Sequence, residues 1–187
     1  MVFIISVAGE LGAANQKYAS TFTKGDLALP SARKVAILAC MDARLDLAKA
    51  LGLEEGDAHV IRNAGGKATD AIRSLVISQQ LLGTREIVIV HHSDCGMLTF
   101  SDDGIRKNIR EELHENADHV AFLPFQDLQQ SVLDNIKVLE DNQLLLDVPV
   151  TGYVYDVRTG KIERVSANTT AEGGKDQFLT NGTTNGV

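Results

Sequence analysis

The stretch EIVIVHHSDCGM, Glu86 to Met97, decides how this chain folds. Ile87 to His91 is short and rich in β-branched residues, which marks a strand buried on both faces. It stops on His92, Ser93, Asp94 and Cys95, with Gly96 as a turn residue. A second run has the same shape: in KVAILACMDAR, Lys34 to Arg44, an apolar strand stops on Cys40, followed by Asp42 and Arg44. Cys40 and Cys95 are the only 2 cysteines of the 187-residue chain, and each falls at the carboxyl end of an expected central strand.

Outward from these two strands the pattern alternates. Residues 2–22 carry Ile4, Ile5, Ala8, Leu11, Ala14 and Tyr18 at helical spacing, and predict an N-terminal helix broken or frayed at Gly9 or Gly12. Residues 24–31 form a loop. After the Lys34–Ala39 strand comes a short helix, 42–51, stopped by Gly52. A second strand spans 57–63 and ends in Ala64, Gly65 and Gly66. Thr69 is the expected N-cap of a helix running to Leu82. Beyond the Glu86 strand, a polar helix covers 101–114, and a longer one begins at Pro124 with Phe125, Leu128, Val132, Ile136 and Leu139 on one side. A strand over 148–157 turns at Arg158–Lys161 into a last strand, 162–165. Successive strand–helix units predict right-handed crossovers and an open, mostly parallel α/β sheet. The expected strand order is 2-1-3-4 with an antiparallel edge strand 5, in one domain over 1–166. Residues 167–187 read as a disordered polar tail.

Bulk properties narrow the function. Apolar content of 44% and charged content of 23% are ordinary for a globular protein. A net charge of −7 argues against nucleic acid and anionic membrane as partners. No apolar run reaches the roughly 18 residues of a membrane helix. The start lacks a basic region and meets Glu10 almost at once, which argues against a signal peptide. Thiols at strand ends with a histidine three residues before one of them fit metal ligation in the cytoplasm better than a disulfide.

Zinc takes thiolate and imidazole ligands, and a catalytic zinc keeps three of them plus one open position. Cys40, His92 and Cys95 supply three, and there is no further cysteine to close the site. In an open α/β sheet, ligands bind beyond the carboxyl ends of strands where the order reverses, which is where these residues fall if the first and third strands are neighbours. Two buried free cysteines and a strand-end histidine would be the plain structural reading. Asp42 and Arg44 tilt the balance. A guanidinium gripping Asp42 bidentately would hold the carboxylate off the metal and let it orient a metal-bound hydroxide. Two thiolates neutralise the ion, so its water should be no more acidic than the value of about 7 found with three histidines, and activity should rise with pH.

C-x-D-x-R at Cys40, Asp42 and Arg44, R-N-A-G at Arg62 to Gly65, and H-S-D-C-G at His92 to Gly96 together resemble the β-class carbonic anhydrases. The likeness covers about Lys34 to Val165, including the closing VTGYVYDVRTGK segment. It implies one Zn2+ per chain on Cys40, His92 and Cys95, an Asp42–Arg44 dyad that exchanges with water, and a homodimer or higher even oligomer built on the N-terminal helices. Carbon dioxide hydration is the implied reaction. The chain resembles the compact branch, some members of which hydrolyse carbonyl sulfide (COS) or carbon disulfide (CS2) instead, so these stand as alternatives. A catalytically silent zinc protein closed by Asp42 is the reading from another class. Ala43 departs from the usual Ser of the first motif, and His91 and Met97 stand where small residues are frequent.

Arg62, Asn63, Gly65 and Gly66 are candidate pocket residues, since a loop with little side-chain bulk lets backbone N–H groups approach a small substrate. Ile61 stands where a phosphate loop needs its first glycine, which excludes nucleotide binding there. Strand alternation turns His91 away from His92 toward the far face. Asp94 reads as a turn residue or as an acceptor that orients a ligand. His59, His114 and His119 fit no ligand pattern.

Overall fold

In a computed structural model of the chain, which describes residues 6–166, the elements run α1 (Val7–Ala19), β1 (Val35–Cys40), α2 (Leu47–Leu51), β2 (Ala58–Asn63), α3 (Ala68–Gln80), β3 (Glu86–His92), α4 (Asp102–Leu113), α5 (Leu128–Glu140), β4 (Val150–Tyr155) and β5 (Ile162–Val165). Two short 3-10 turns, Ala64–Gly66 and Gly96–Leu98, follow β2 and β3. The sheet order is β2-β1-β3-β4-β5, parallel except for the β4–β5 hairpin. The expected topology, with its antiparallel fifth strand, is the one found.

The register explains why β1 is apolar throughout and β3 is apolar from Ile87 to Val90. Val35, Ile37 and Ala39 point with Val90 into one core, which Leu45, Leu47 and Met97 complete. Ala36 and Leu38 point with Ile87 and Ile89 into a second, covered by Ala68, Ala71 and Leu75 of α3 and Leu139 of α5. Every residue of β1 is therefore buried, as expected of a parallel strand covered on both faces. Fully buried Leu38, Leu75 and Ile89 each stabilise the fold by about 1.5–3 kcal/mol. The β2-β1-β3 reversal leaves a crevice beyond the carboxyl ends of β1 and β3.

Several element boundaries differ from expectation, each for a local reason. The 42–51 helix shrinks to α2, because Asp42 accepts from the Arg44 N–H (2.9 Å) and the cap passes to Asp46, which accepts from the Lys49 N–H. Thr69 lies inside α3 and does not cap it. Instead the Ala68 N–H donates to Asn135 Oδ1 of α5 at 2.6 Å. Pro124 does not start α5: the Phe125 N–H is drawn to the Met97 carbonyl (3.2 Å), and Asp127 caps the helix three residues later. Helix α1 runs unbroken through Gly9 and Gly12. Residues 2–5 of the expected N-terminal helix and the expected polar tail, 167–187, lie outside the described residues. Among the described residues, no helix is long and apolar enough to cross a membrane.

Candidate metal centre

Strand parity builds the site. Within β3, His92 shares a face with Val90, and Cys40 ends the neighbouring strand. The turn after β3, which takes Asp94 through a left-handed φ of 54°, brings Cys95 back toward both. The ligand atoms of Cys40, His92 and Cys95 all lie within 4.8 Å of one another, and all three residues are buried. Both cysteines are free, with their sulfurs 4.0 Å apart. Two sulfurs on one zinc, at bonds of about 2.3 Å, would stand about 3.8 Å apart at a tetrahedral angle.

The imidazole gives a sharper test of fit. His92 Nδ1–H donates to the Ser93 carbonyl at 2.9 Å, which leaves Nε2 as the bare lone pair. That Nε2 is buried and has no hydrogen-bond partner. A buried unpaired nitrogen costs about 1–3 kcal/mol, and a cation between it and the two sulfurs removes that cost. Orientation of the ring by its other nitrogen is what a metal-ligating histidine requires. The two sulfurs share a contact in which either can donate; it holds the Cys40 thiol below its ordinary range, while the same contact and burial push Cys95 up. The residues fit zinc.

Asp42 lies beside this cluster, with Oδ2 3.7 Å from His92 Nε2. Arg44 grips it twice, Nε donating to Oδ1 at 2.9 Å and Nη2 to Oδ2 at 2.7 Å. Those bonds hold the Asp42 carboxyl well below the usual carboxylate range. Arg44 is itself held from behind: Nη1 donates to Asp94 Oδ2 at 2.7 Å and Nη2 to the Asp94 carbonyl at 2.8 Å. Asp94 therefore anchors Arg44 instead of orienting a ligand. Its signal in the sequence was a second acid inside the ligand turn, whose partner is 50 residues away.

The pocket candidates separate. Gly65 lines a cavity of about 330 Å³ over the cluster, together with Cys40, Asp42, Cys95, Ala64, Met97 and Phe100. Arg62, Asn63 and Gly66 do not line it. Arg62 ties down the Cys40 loop, Nε donating to the Cys40 carbonyl at 3.0 Å and Nη2 to the Asp42 carbonyl at 2.6 Å. The Asn63 side chain bonds both backbone groups of Lys67. Gly66, at φ 66°, packs on the end of β1, where an added Cβ would stand 3.1 Å from Ala39 C and Cys40 N. His91 is buried on the opposite side. It lies 3.3 Å from the Gly66 carbonyl and stacks on Phe125, and burial pushes its pKa down to about 4. Met97 and Phe100 are the wall residues that spacing did not reveal, and Phe125 packs behind Gly65.

Soft donors converging beyond the carboxyl edge of a parallel sheet define an α/β protein with a metal-binding centre open on one side. Known proteins sharpen that class. The family model described as "Carbonic anhydrase" matches residues 35–162. The "Beta-carbonic anhydrase 1" of Mycobacterium tuberculosis is 45% identical over 166 residues, covering 87% of this chain and 99% of that protein. The crystal structure of the carbonic anhydrase from Streptococcus mutans superposes with a TM-score of 0.84 at 44% identity, covering 89% of this chain and all of that one. A "Carbon disulfide hydrolase" of Acidianus sp. is 32% identical over 174 residues, covering 80% of this chain and 84% of that protein. The chain belongs to the β-carbonic anhydrase family, and it is an enzyme.

Proposed function

We propose that the chain hydrates carbon dioxide to bicarbonate, with one Zn2+ held by Cys40, His92 and Cys95. The observation that carries this is the clamped carboxylate: Asp42 Oδ2 stands 3.7 Å from the unpartnered His92 Nε2, at the edge of a small cavity with apolar walls. When bound, zinc would acidify a water molecule at its fourth position. Asp42 is ionised throughout the working pH range and is therefore only an acceptor. It takes a hydrogen bond from the attacking oxygen and aims that oxygen's lone pair at the electrophilic carbon. Arg44 keeps Asp42 from turning onto the metal and blocking it. The apolar wall of Ala64, Gly65, Met97 and Phe100 suits a linear molecule without net charge and sheds it once it becomes an anion.

COS and CS2 share that shape, and a relative of the second kind at 32% identity keeps the alternative open; the nearer likeness, at 45%, favours carbon dioxide. Parallel assays on zinc-loaded protein test the reading: hydration by stopped flow, and release of hydrogen sulfide from COS and from CS2. Hydration should give the highest kcat/KM. Faster sulfide release would make the chain a hydrolase, and full zinc with no turnover would leave a silent zinc protein.

The described residues fit one domain, and a pair of free thiols fits the cytoplasm. A second copy of the chain is the proposed partner. Helix α1 buries none of its residues, and Val7 and Leu11 are 69% and 65% exposed, which suits a helix that docks on a partner. Light scattering should report a dimer or higher even oligomer, and Leu11→Asp should dissociate it.

A further inference from the structure

We propose that Met97 decides which linear substrate the cavity accepts, by closing its inner wall to molecules longer and thicker than carbon dioxide. The inference rests on the chemistry proposed above for the same cavity. Among the described residues, the other apolar walls are too small or too exposed to impose such a limit. Ala64 and Gly65 have almost no side chain, Met41 is 64% exposed and free to swing out, and Phe100 stands at the mouth, shared with an outer groove along Leu98 to Asn108. Met97 is buried at 8% exposure.

It is also fixed in place. Its Cγ lies 2.9 Å and its Cε 3.6 Å from where a Cβ on Gly65 would stand, so the side chain lies flat on the Gly65 backbone. Its carbonyl accepts from the Phe125 N–H at 3.2 Å. The Phe125 ring, also against Gly65, is backed by the His91 ring at 5.5 Å and the Lys67 ammonium at 4.6 Å. These contacts hold Met97 against the Gly65 backbone, and a close-packed wall held in this way selects by volume. Sulfur is larger than oxygen and a C=S bond is longer than a C=O bond, so the wall penalises CS2 most, COS less and carbon dioxide least.

The test is a ratio, because a purely structural role would lower every activity together. In zinc-loaded Met97→Ala, kcat/KM for CS2 relative to carbon dioxide should rise by about tenfold or more, with COS between, which is what a missing methylene or two is worth in an apolar pocket. Met97→Leu, close in volume, should hold the ratio within about twofold. Met97→Val carries the same test with a smaller shift should the alanine variant not fold. An equilibrium measurement runs beside it: calorimetric binding of thiocyanate relative to cyanate should strengthen in the alanine variant by a similar factor. Unchanged ratios, or an equal fall for all substrates, would overturn the role of Met97. Zinc-loaded wild type inactive on all three substrates would sink the hydration reading alone, and the anion ratio would still decide on Met97.

Discussion

The two sides of the cavity are held by different physics. On the polar side, Asp42, Arg44 and Asp94 form a chain of charge-assisted hydrogen bonds, and Arg62 ties the carbonyls of Cys40 and Asp42 behind them. On the apolar side, Gly65, Met97, Phe125 and His91 hold one another mainly by side-chain contact, with a single backbone hydrogen bond from the Phe125 N–H to the Met97 carbonyl. Directional bonds fix an orientation, so on the proposed reading the polar side controls whether chemistry occurs. Contact fixes a volume, so on the same reading the apolar side controls what enters and how firmly the site is built.

The largest effect should come from the donors that both sides surround. Cys95→Ser should abolish bound zinc, measured by mass spectrometry of metal content, and reduce hydration to the uncatalysed rate; retained zinc would remove Cys95 from the ligand set. Next comes the polar side. Asp42→Asn should keep zinc but lower kcat by about 10²-fold or more, as loss of an acceptor for the reacting proton does. Arg44→Lys keeps the charge but loses the fork, so a smaller loss on the order of tenfold is expected. Steady-state kinetics with metal content measured in parallel checks both, and unchanged turnover in the asparagine variant would take Asp42 out of the mechanism.

The apolar side should respond in stability first. Gly65→Ala places a Cβ against Met97 at a backbone φ of 76°, and should cost about 1–3 kcal/mol in urea denaturation while zinc stays bound. A neutral result would mean that Met97 can move after all.

The last effect concerns pH and leaves the neutral-pH enzyme unchanged. Burial pushes the His91 pKa down to about 4, from an ordinary value near 6.5. Between those values the unfolded chain binds a proton that the folded chain does not, so folding stability is complete above the upper value and declines as pH falls toward the lower one. The loss is on the order of 3 kcal/mol at most. His91→Phe should flatten that decline, read as the difference between variant and wild type so that the shared thiols and His92 cancel. Equal slopes would show that His91 is already protonated in the fold.

The Cys40–His92–Cys95 cluster and the Asp42–Arg44 pair were legible as candidates in the sequence because each falls at a strand end that local pattern marks. An apolar strand must end somewhere, and what it ends on is written next to it; Cys40, His92 and Cys95 sit within a few residues of their strands. Parallel order follows from alternating strands and helices, and the β2-β1-β3 reversal then brings Cys40 to His92. What only the tertiary structure decided involves partners far apart in the chain. Asp94 holds Arg44 across 50 residues, Asn135 caps α3 across 67, and Met97 meets Gly65 and Phe125 only after three segments have packed. Even the start of α5 was moved, because the Phe125 N–H found the Met97 carbonyl. Short-range hydrogen bonding and side-chain period are properties of neighbours, and the sequence carries them directly. Which wall faces the cavity, and whether it can move, is a property of packing, which exists only once distant residues share one volume.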